Sequence, residues 1–159
     1  GLQSVDPSFE WTYVPTGSFD DVAAATEAYN NLKAQGVGMV YPYLGGAHEA
    51  VVKLANADGL IVTSSGAAHV CDRTDVKYDM AAKFDAGDYA IELFKKMIDG
   101  TIKRGETYVF HVGVDDAPGA EICNATPEQQ AALDAAYAKV ASGDLKADFD
   151  KITKEVYGG

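Results

Sequence analysis

The sequence predicts an α/β fold in which helices cover a mainly parallel β-sheet. Its 159 residues are 47% hydrophobic and 23% charged, which suits one globular core of ordinary size. Strand-like and helix-like segments alternate along the chain, with capping residues or glycines at the junctions. Such alternation is typical of a three-layer α/β/α arrangement. We therefore predict a single α/β domain over residues 1–159.

The first strand and helix are predicted before Gly36. The segment "FEWTYVP", from Phe9 to Pro15, has the alternation and aromatic content of a β-strand. In "GSFDDVAAATEAYNNLKAQG", Ser18 is the predicted N-cap and Asp21 follows three residues later. The helix then places four apolar residues on one face: Val22, Ala25, Tyr29 and Leu32.

The second strand and helix are joined by a turn on Gly45 and Gly46. "VGMVYPY" is the predicted strand, "LIVTSS" is the next one, and the helix between them has core spacing at Ala47, Ala50, Val51, Leu54 and Ala55. Such a turn leaves the first helical amides unpaired near the carboxyl end of the sheet, where polar or anionic ligand groups bind. Glycines in this place also serve folding alone, so the turn by itself leaves both purposes open.

Two further strand and helix pairs complete the pattern. "KYDMAAKF" is a predicted strand, and Asp85 and Asp88 are candidate caps for a helix with apolar residues at Ile91, Phe94, Met97 and Ile98. "TYVFHVGV" is the predicted strand before the last helix. That helix carries four terminal signals: Thr126 as N-cap, Pro127 at the first position, Gln129 closing a capping box, and Gly143 at the stop.

The charge balance argues against nucleic acid as a partner. There are 13 Lys plus Arg against 24 Asp plus Glu, a net charge of -11, and no basic cluster interrupts this acidity. No apolar run reaches membrane length, and "GLQSVDPSFEW" lacks the basic start and apolar core of a signal peptide. We expect either a cytoplasmic protein or one whose export signal has been removed.

The cysteines and histidines of the sequence indicate neither a metal site nor a cofactor. Cys71 and Cys123 both lie in loop-like contexts, where they form either one disulfide or two unrelated small core residues. No CxxC spacing occurs, and His48, His69 and His111 are scattered along the chain.

Catalysis and signalling are the rival functional classes. A hydrolase would pair Ser64 or Ser65 with a histidine, but no GxSxG elbow is present. A flavodoxin-like or receiver-like signalling domain shares the alternating pattern. It would need an acidic or phosphate-binding cluster after the first strand, and "FEWTYVPTGS" has none.

The order of motifs resembles one known family. "GSFDD", "GVGMVYPYLGG", "GLIVTSS" and "KFDAGDYAIELFKKMIDGTIKRGETYVFHVGVDD" follow one another as in the basic membrane lipoprotein family, which includes the purine nucleoside receptor A-like binding proteins. The resemblance covers residues 9–144. It implies one lobe of a type I periplasmic-binding fold and a non-enzymatic, solute-binding subunit of an ABC importer, many of which bind nucleosides between two lobes.

The resemblance also implies a set of binding residues. Phe19 matches an aromatic residue that stacks on purine in relatives, Lys83 matches a lysine that reaches the sugar, and Gly45 and Gly46 match the family's glycine turn. Ser64 stands where nucleoside binders carry an aspartate that grips ribose. Since hydrogen bonds to a charged group are roughly twice as strong as neutral ones, this departure predicts weaker ribose recognition or another ligand.

Further expectations concern the whole protein. Two-lobed relatives have about two domains, so the chain is expected to be mostly the C-terminal lobe, with the N-terminal lobe missing. The implied location is extracytoplasmic, with a lipid anchor in the full-length protein, and the partners are a small solute and an ABC permease. This location predicts a disulfide between Cys71 and Cys123. An uncovered cleft wall around Phe19, Tyr43 and Gly45 predicts self-association or weak ligand binding.

Overall fold

The fold was taken from a computed structural model, which describes residues 2–67 and 69–158. The chain divides into two compact units, Gly1–Val62 and Thr63–Gly159. The single domain predicted over residues 1–159, and its assignment to a C-terminal lobe, stay predictions.

The first unit contains helices on either side of a short strand. Its elements are α1 (Leu2–Val5), α2 (Val22–Ala34), β1 (Met39–Val40), α3 (His48–Ala57) and the start of β2 (Ile61–Gly66). β1 pairs with β2 in parallel, with Met39 opposite Ile61 and Val40 opposite Val62. The strand predicted over "VGMVYPY" is therefore present but much shorter.

The core of the first unit lies where α2 and α3 pack together. The predicted face of α2 is buried at Ala25 and Tyr29, while Val22 at its start remains 47% exposed. On α3, Val51 and Ala55 are buried as predicted, and Val52 joins them. Helical spacing therefore located the buried face of both helices to within one residue.

Two predictions in the first unit are wrong. Residues Phe9–Pro15 form no strand, and Trp11 and Tyr13 are exposed because no strand pairs with this segment. The N-cap of α2 is Asp21, whose carboxylate accepts the amides of Ala23 and Ala24. Asp21 is the residue directly before the helix, so it reaches these amides in place of Ser18.

The second unit begins inside β2, at Thr63. After β2 come a 3₁₀ turn (Val70–Asp72), β3 (Met80–Lys83), α4 (Ala86–Ile98), β4 (Gly119–Ile122), α5 (Pro127–Ser142) and α6 (Lys146–Tyr157). β2 pairs with β3 in parallel, and β3 pairs with β4 antiparallel. The strand order is β1-β2-β3-β4, so the predicted α/β class with a mainly parallel sheet is confirmed.

The strand predicted at Thr107–Val114 is wrong. That segment is irregular, and β3 instead receives Gly119–Ile122, with Met80 opposite Ile122 and Lys83 opposite Gly119. The amide of Cys123 extends this pairing by donating to the Asp79 carbonyl at 2.8 Å. The strand that pairs with β3 therefore has a weaker intrinsic strand preference than the segment predicted to form a strand.

The helix ends of the second unit follow the sequence closely. Asp85 caps α4, whereas Asp88 lies inside its first turn. Thr126 and Gln129 form the predicted capping box of α5, which ends at Gly143. The apolar residues predicted as the core face of α4 are, however, 52–84% exposed: Ile91, Phe94, Met97 and Ile98. None of the described helices combines the length and apolar character that a membrane crossing requires.

Candidate functional site

Three aromatic side chains of the first unit form an exposed surface, here called the aromatic wall: Phe19, Tyr41 and Tyr43. Their exposed fractions are 59%, 49% and 59%. The rings of Phe19 and Tyr43 meet edge to face with centroids 5.9 Å apart, and those of Tyr41 and Tyr43 are stacked at 6.5 Å. Both arrangements are favoured ring geometries, so the three rings support one another while their outer surfaces stay open.

The wall is neutral. Partial burial raises the pKa of the Tyr41 hydroxyl, and the neighbouring Tyr43 adds to the effect. A phenol with a raised pKa stays protonated at neutral pH. The wall therefore offers apolar faces and hydroxyl groups but no charge.

The Gly45–Gly46 turn is built onto the segment that carries Phe19. The amides of Gly45 and Ala47 donate to the Phe19 carbonyl at 2.9 and 3.3 Å, and the amide of Gly46 donates to Oδ1 of Asp20 at 2.6 Å. These three amides precede α3, which begins at His48 and has no side-chain cap, so the expectation of open amides in its first turn stays a prediction. The amides of the turn itself are bound by oxygens of the Phe19 segment.

The two glycines allow this close approach. A Cβ atom on Gly45 would lie 2.7 Å from Oδ1 of Asp20, and one on Gly46 would lie 3.1 Å from the same oxygen. The first distance is shorter than any real Cβ contact and the second is tight. A side chain at Gly45 would displace the Asp20 carboxylate from the backbone, and one at Gly46 would crowd it.

Local hydrogen bonds hold the Phe19 segment in shape. The Ser18 hydroxyl accepts the amides of Asp20 and Asp21 at 3.2 Å each, and the Thr16 hydroxyl donates to the Ser18 carbonyl at 2.6 Å. Such Ser and Thr turns are common before helices. They fix the backbone on both sides of Phe19.

The two other predicted binding residues belong to the second unit. Ser64 is fully buried on β2, and its hydroxyl donates to the Ala67 carbonyl at 3.3 Å. Lys83 is the last residue of β3 and is partly exposed, with its backbone opposite Gly66 and Gly119. Their roles toward a ligand stay predictions, and Ser64 turns its hydroxyl inward.

The predicted disulfide is present between Cys71 and Cys123, whose Cα atoms are 5.1 Å apart. It ties the 3₁₀ turn after β2 to the residue that follows β4. The described part of the chain contains no group of three or more His, Cys, Asp or Glu residues placed to hold a metal ion.

Comparison with known families identifies the chain. The Bmp family profile, described as ABC transporter substrate-binding protein PnrA-like, matches residues 1–117. The chain belongs to this family. The Bmp match spans the whole aromatic wall, the glycine turn, Ser64 and Lys83, and it ends before β4. A comparison with curated proteins found no match.

The match confirms the family predicted from the motifs, that of ABC transporter substrate-binding proteins. Sequence reasoning missed Asp20 and Tyr41 as parts of the candidate site. Asp20 directly precedes the Asp21 cap in the sequence, and its partner Gly46 lies 26 residues away. The two consecutive glycines at positions 45 and 46 were the sequence signal that another group packs closely against this turn.

Proposed function

We propose that the chain captures a small, flat, nucleoside-like solute for an ABC importer. The aromatic wall carries this proposal, because three neighbouring rings keep about half or more of their surfaces in water. A flat heteroaromatic ring would cover that apolar area and stack on it, which stabilises a complex by about 1–3 kcal/mol per base. Membership in a family of transporter substrate-binding proteins supports the same use.

Each predicted residue has a place in this proposal. Phe19 would stack on the ring of the solute, while Gly45 and Gly46 hold the backbone that supports it. The family resemblance supports Lys83 as a donor to a polar group such as a sugar hydroxyl, because its ammonium group carries three donors. Ser64 stands at the family's ribose-binding position, with a buried hydroxyl that donates to the Ala67 carbonyl.

The cellular setting follows the family. We propose a lipid-anchored protein outside the cytoplasm that hands its solute to a membrane permease, with closure of two lobes around the solute and no reaction of its own. A chain that carries one lobe would bind more weakly or self-associate through the aromatic wall. Nothing in the described residues favours a hydrolase or a receiver-like domain over this function.

Alanine substitution in the wall tests the proposal. Calorimetric titration with adenosine, guanosine, inosine, cytidine and uridine should show weaker binding for Phe19→Ala and Tyr43→Ala, by roughly 5- to 150-fold for the nucleoside that binds. Tyr13→Ala is the matched control, because Tyr13 is an exposed aromatic residue of the same unit, 75% exposed and outside the wall. An equal loss in all three variants would contradict the assignment of the site.

A further inference from the structure

We propose that β3 has two alternative partner strands, and that the disulfide between Cys71 and Cys123 selects which of them pairs with it. In the structure the partner is β4, Gly119–Ile122. The alternative is Thr107–Val114, which the sequence predicts as a strand and which is irregular in the structure. This inference concerns a conformational device within the second unit and does not depend on the identity of the solute.

The residue types favour the alternative strand. β4 contains glycine, alanine and glutamate, which are depleted in strands, and only Ile122 is typical of them. Thr107–Val114 contains three valines, one tyrosine, one phenylalanine and one threonine, all of which are enriched in strands. Intrinsic preference alone would therefore pair β3 with Thr107–Val114.

The chain connection also favours the alternative strand. Residues 84–106 link β3 to Thr107–Val114 and contain α4, and a crossover through a helix usually joins parallel strands of one sheet. Phe110 already contacts α4, where its ring centroid is 4.9 Å from that of Tyr89. The backbone of Thr107–Phe110 makes no hydrogen bond with another described residue. The alternative strand would thus extend the parallel pairing of β2 and β3, whereas β4 is antiparallel.

Two sets of contacts hold β4 beside β3 instead. Cys123 directly follows β4, and the disulfide ties it to Cys71 in the 3₁₀ turn that contacts β3. On the outer edge of β4, the Tyr137 hydroxyl accepts the Ala120 amide at 2.5 Å and donates to the Ala120 carbonyl at 2.6 Å. Exposed neutral hydrogen bonds stabilise less than a disulfide that closes a long loop, so the covalent link is the stronger of the two.

Loss of the disulfide should therefore let Thr107–Val114 replace β4. A dithiol such as dithiothreitol supplies this change: the S–S bond breaks and takes up two electrons and two protons to give two thiols, while the reagent closes to a cyclic disulfide. Lys83 at the end of β3 lies opposite Gly119. The replacement would thus also change the backbone beside a residue predicted to bind the solute.

Amide hydrogen exchange, followed by NMR on the whole chain, measures which strand pairs with β3. The Glu121 amide reports on β4, because the bond from the Cys123 amide to the Asp79 carbonyl and strand alternation turn Glu121 toward β3. Dithiothreitol should lower the protection of Glu121 at least about tenfold and raise protection at alternate amides of Thr107–Val114. The double change of Cys71 and Cys123 to serine should give the same pattern without a reagent.

Val109→Gly in the double-serine variant tests the competition between the two strands. Val109 is exposed, so the change weakens the alternative strand without opening a cavity. It should return protection to Glu121 by about fivefold, since strand preferences span a range of that size. Val109→Thr is the matched control, because it keeps a β-branched side chain and should return none.

Tyr137→Phe with the disulfide intact tests whether the disulfide is the selecting contact. The change removes both bonds to Ala120 and should leave Thr107–Val114 unprotected. Protection of alternate amides in this oxidised variant would show that the disulfide does not select the strand.

Three other results would overturn the proposal. The first is a reduced chain in which Thr107–Val114 gains no protection, whether or not β4 loses its own. The second is equal protection of Glu121 in Val109→Gly and Val109→Thr. The third is a loss of protection at Ala82, whose amide alternation turns toward β2, together with Glu121. That loss would mean that the disulfide only stabilises the unit against unfolding.

Discussion

Replacement of Tyr29 by phenylalanine tests the packing between α2 and α3. Tyr29 is 2% exposed, and its hydroxyl donates to Oδ2 of Asp58 at 2.6 Å. The other oxygen of Asp58 accepts from Lys33 at 2.6 Å. Phenylalanine keeps the ring in the core and removes only the hydroxyl. Asp58 keeps its contact with Lys33 and reaches water, so the substitution leaves no buried polar group without a partner.

The expected cost is the net value of one hydrogen bond to a charged group, about 1.5–3 kcal/mol. The pH dependence supplies an independent check. Burial, followed by the bond to Asp58, raises the pKa of Tyr29 to about 12. A pKa raised by folding stabilises the protein below the ordinary value near 10, and this stabilisation is lost as pH rises toward 12. The difference in free energy of unfolding between the wild type and Tyr29→Phe should therefore be constant from neutral pH to about 10. It should shrink above pH 10.

Hydrogen exchange at the amides of α2 and α3 measures this difference within the first unit, and urea denaturation measures it for the chain. Tyr13→Phe is the control, since Tyr13 is 75% exposed and should cost nothing measurable. The reasoning would be refuted by a Tyr29→Phe variant within about 0.5 kcal/mol of the wild type at neutral pH. A difference that widens above pH 10 would refute the role of the shifted pKa.

Three further predictions concern the second unit. The buried Thr63 hydroxyl has no hydrogen-bond partner among the described residues, so Thr63→Val should leave stability unchanged or raise it by about 1 kcal/mol in urea denaturation; a loss of that size would contradict this. Cys71 and Cys123 are 52 residues apart, so the double change to serine should cost about 4 kcal/mol, and thiol titration of the unreduced, denatured wild type should find no free thiol. Two titratable thiols would refute the disulfide. Thr126→Ala breaks the capping box and should cost about 1 kcal/mol, measured by exchange at the first amides of α5, whereas Thr126→Ser should cost much less.

Features that depend on neighbouring residues were predictable from the sequence. The caps at Asp85 and Thr126 depend on amides two or three residues away, so their spacing alone identified them. The buried faces of α2 and α3 follow from helical periodicity in the same way. Sequence patterns are most reliable where the deciding contacts are local.

Strands were less predictable because pairing is decided across the chain. Phe9–Pro15 and Thr107–Val114 have strong strand preferences but pair with none of the described strands, whereas Gly119–Ile122 joins β3 beside the disulfide. Asp21, and not Ser18, caps α2 because Asp21 is three residues closer to the free amides at the start of the helix.

In the candidate site, too, local motifs were predictable from the sequence and a long-range contact was not. Phe19 and the glycine turn were found through their motifs, and the structure places them together in the first unit. The use of Asp20 as the partner of Gly46 required knowledge of a contact between residues far apart in the sequence. The function predicted for the site stays a proposal, and the contact between Asp20 and Gly46 adds to it how the turn is held against the Phe19 segment.

The most direct test of the central claim is NMR titration of the wild-type chain with the five common nucleosides. The amides of Phe19, Tyr43 and Gly46 report on the aromatic wall and its supporting turn. If the chain binds a nucleoside-like solute, at least one nucleoside should produce saturable shifts at these amides, and the same shifts should be lost in Phe19→Ala. The absence of any shift up to the solubility limit of all five nucleosides, or shifts confined to residues outside the wall, would contradict the account.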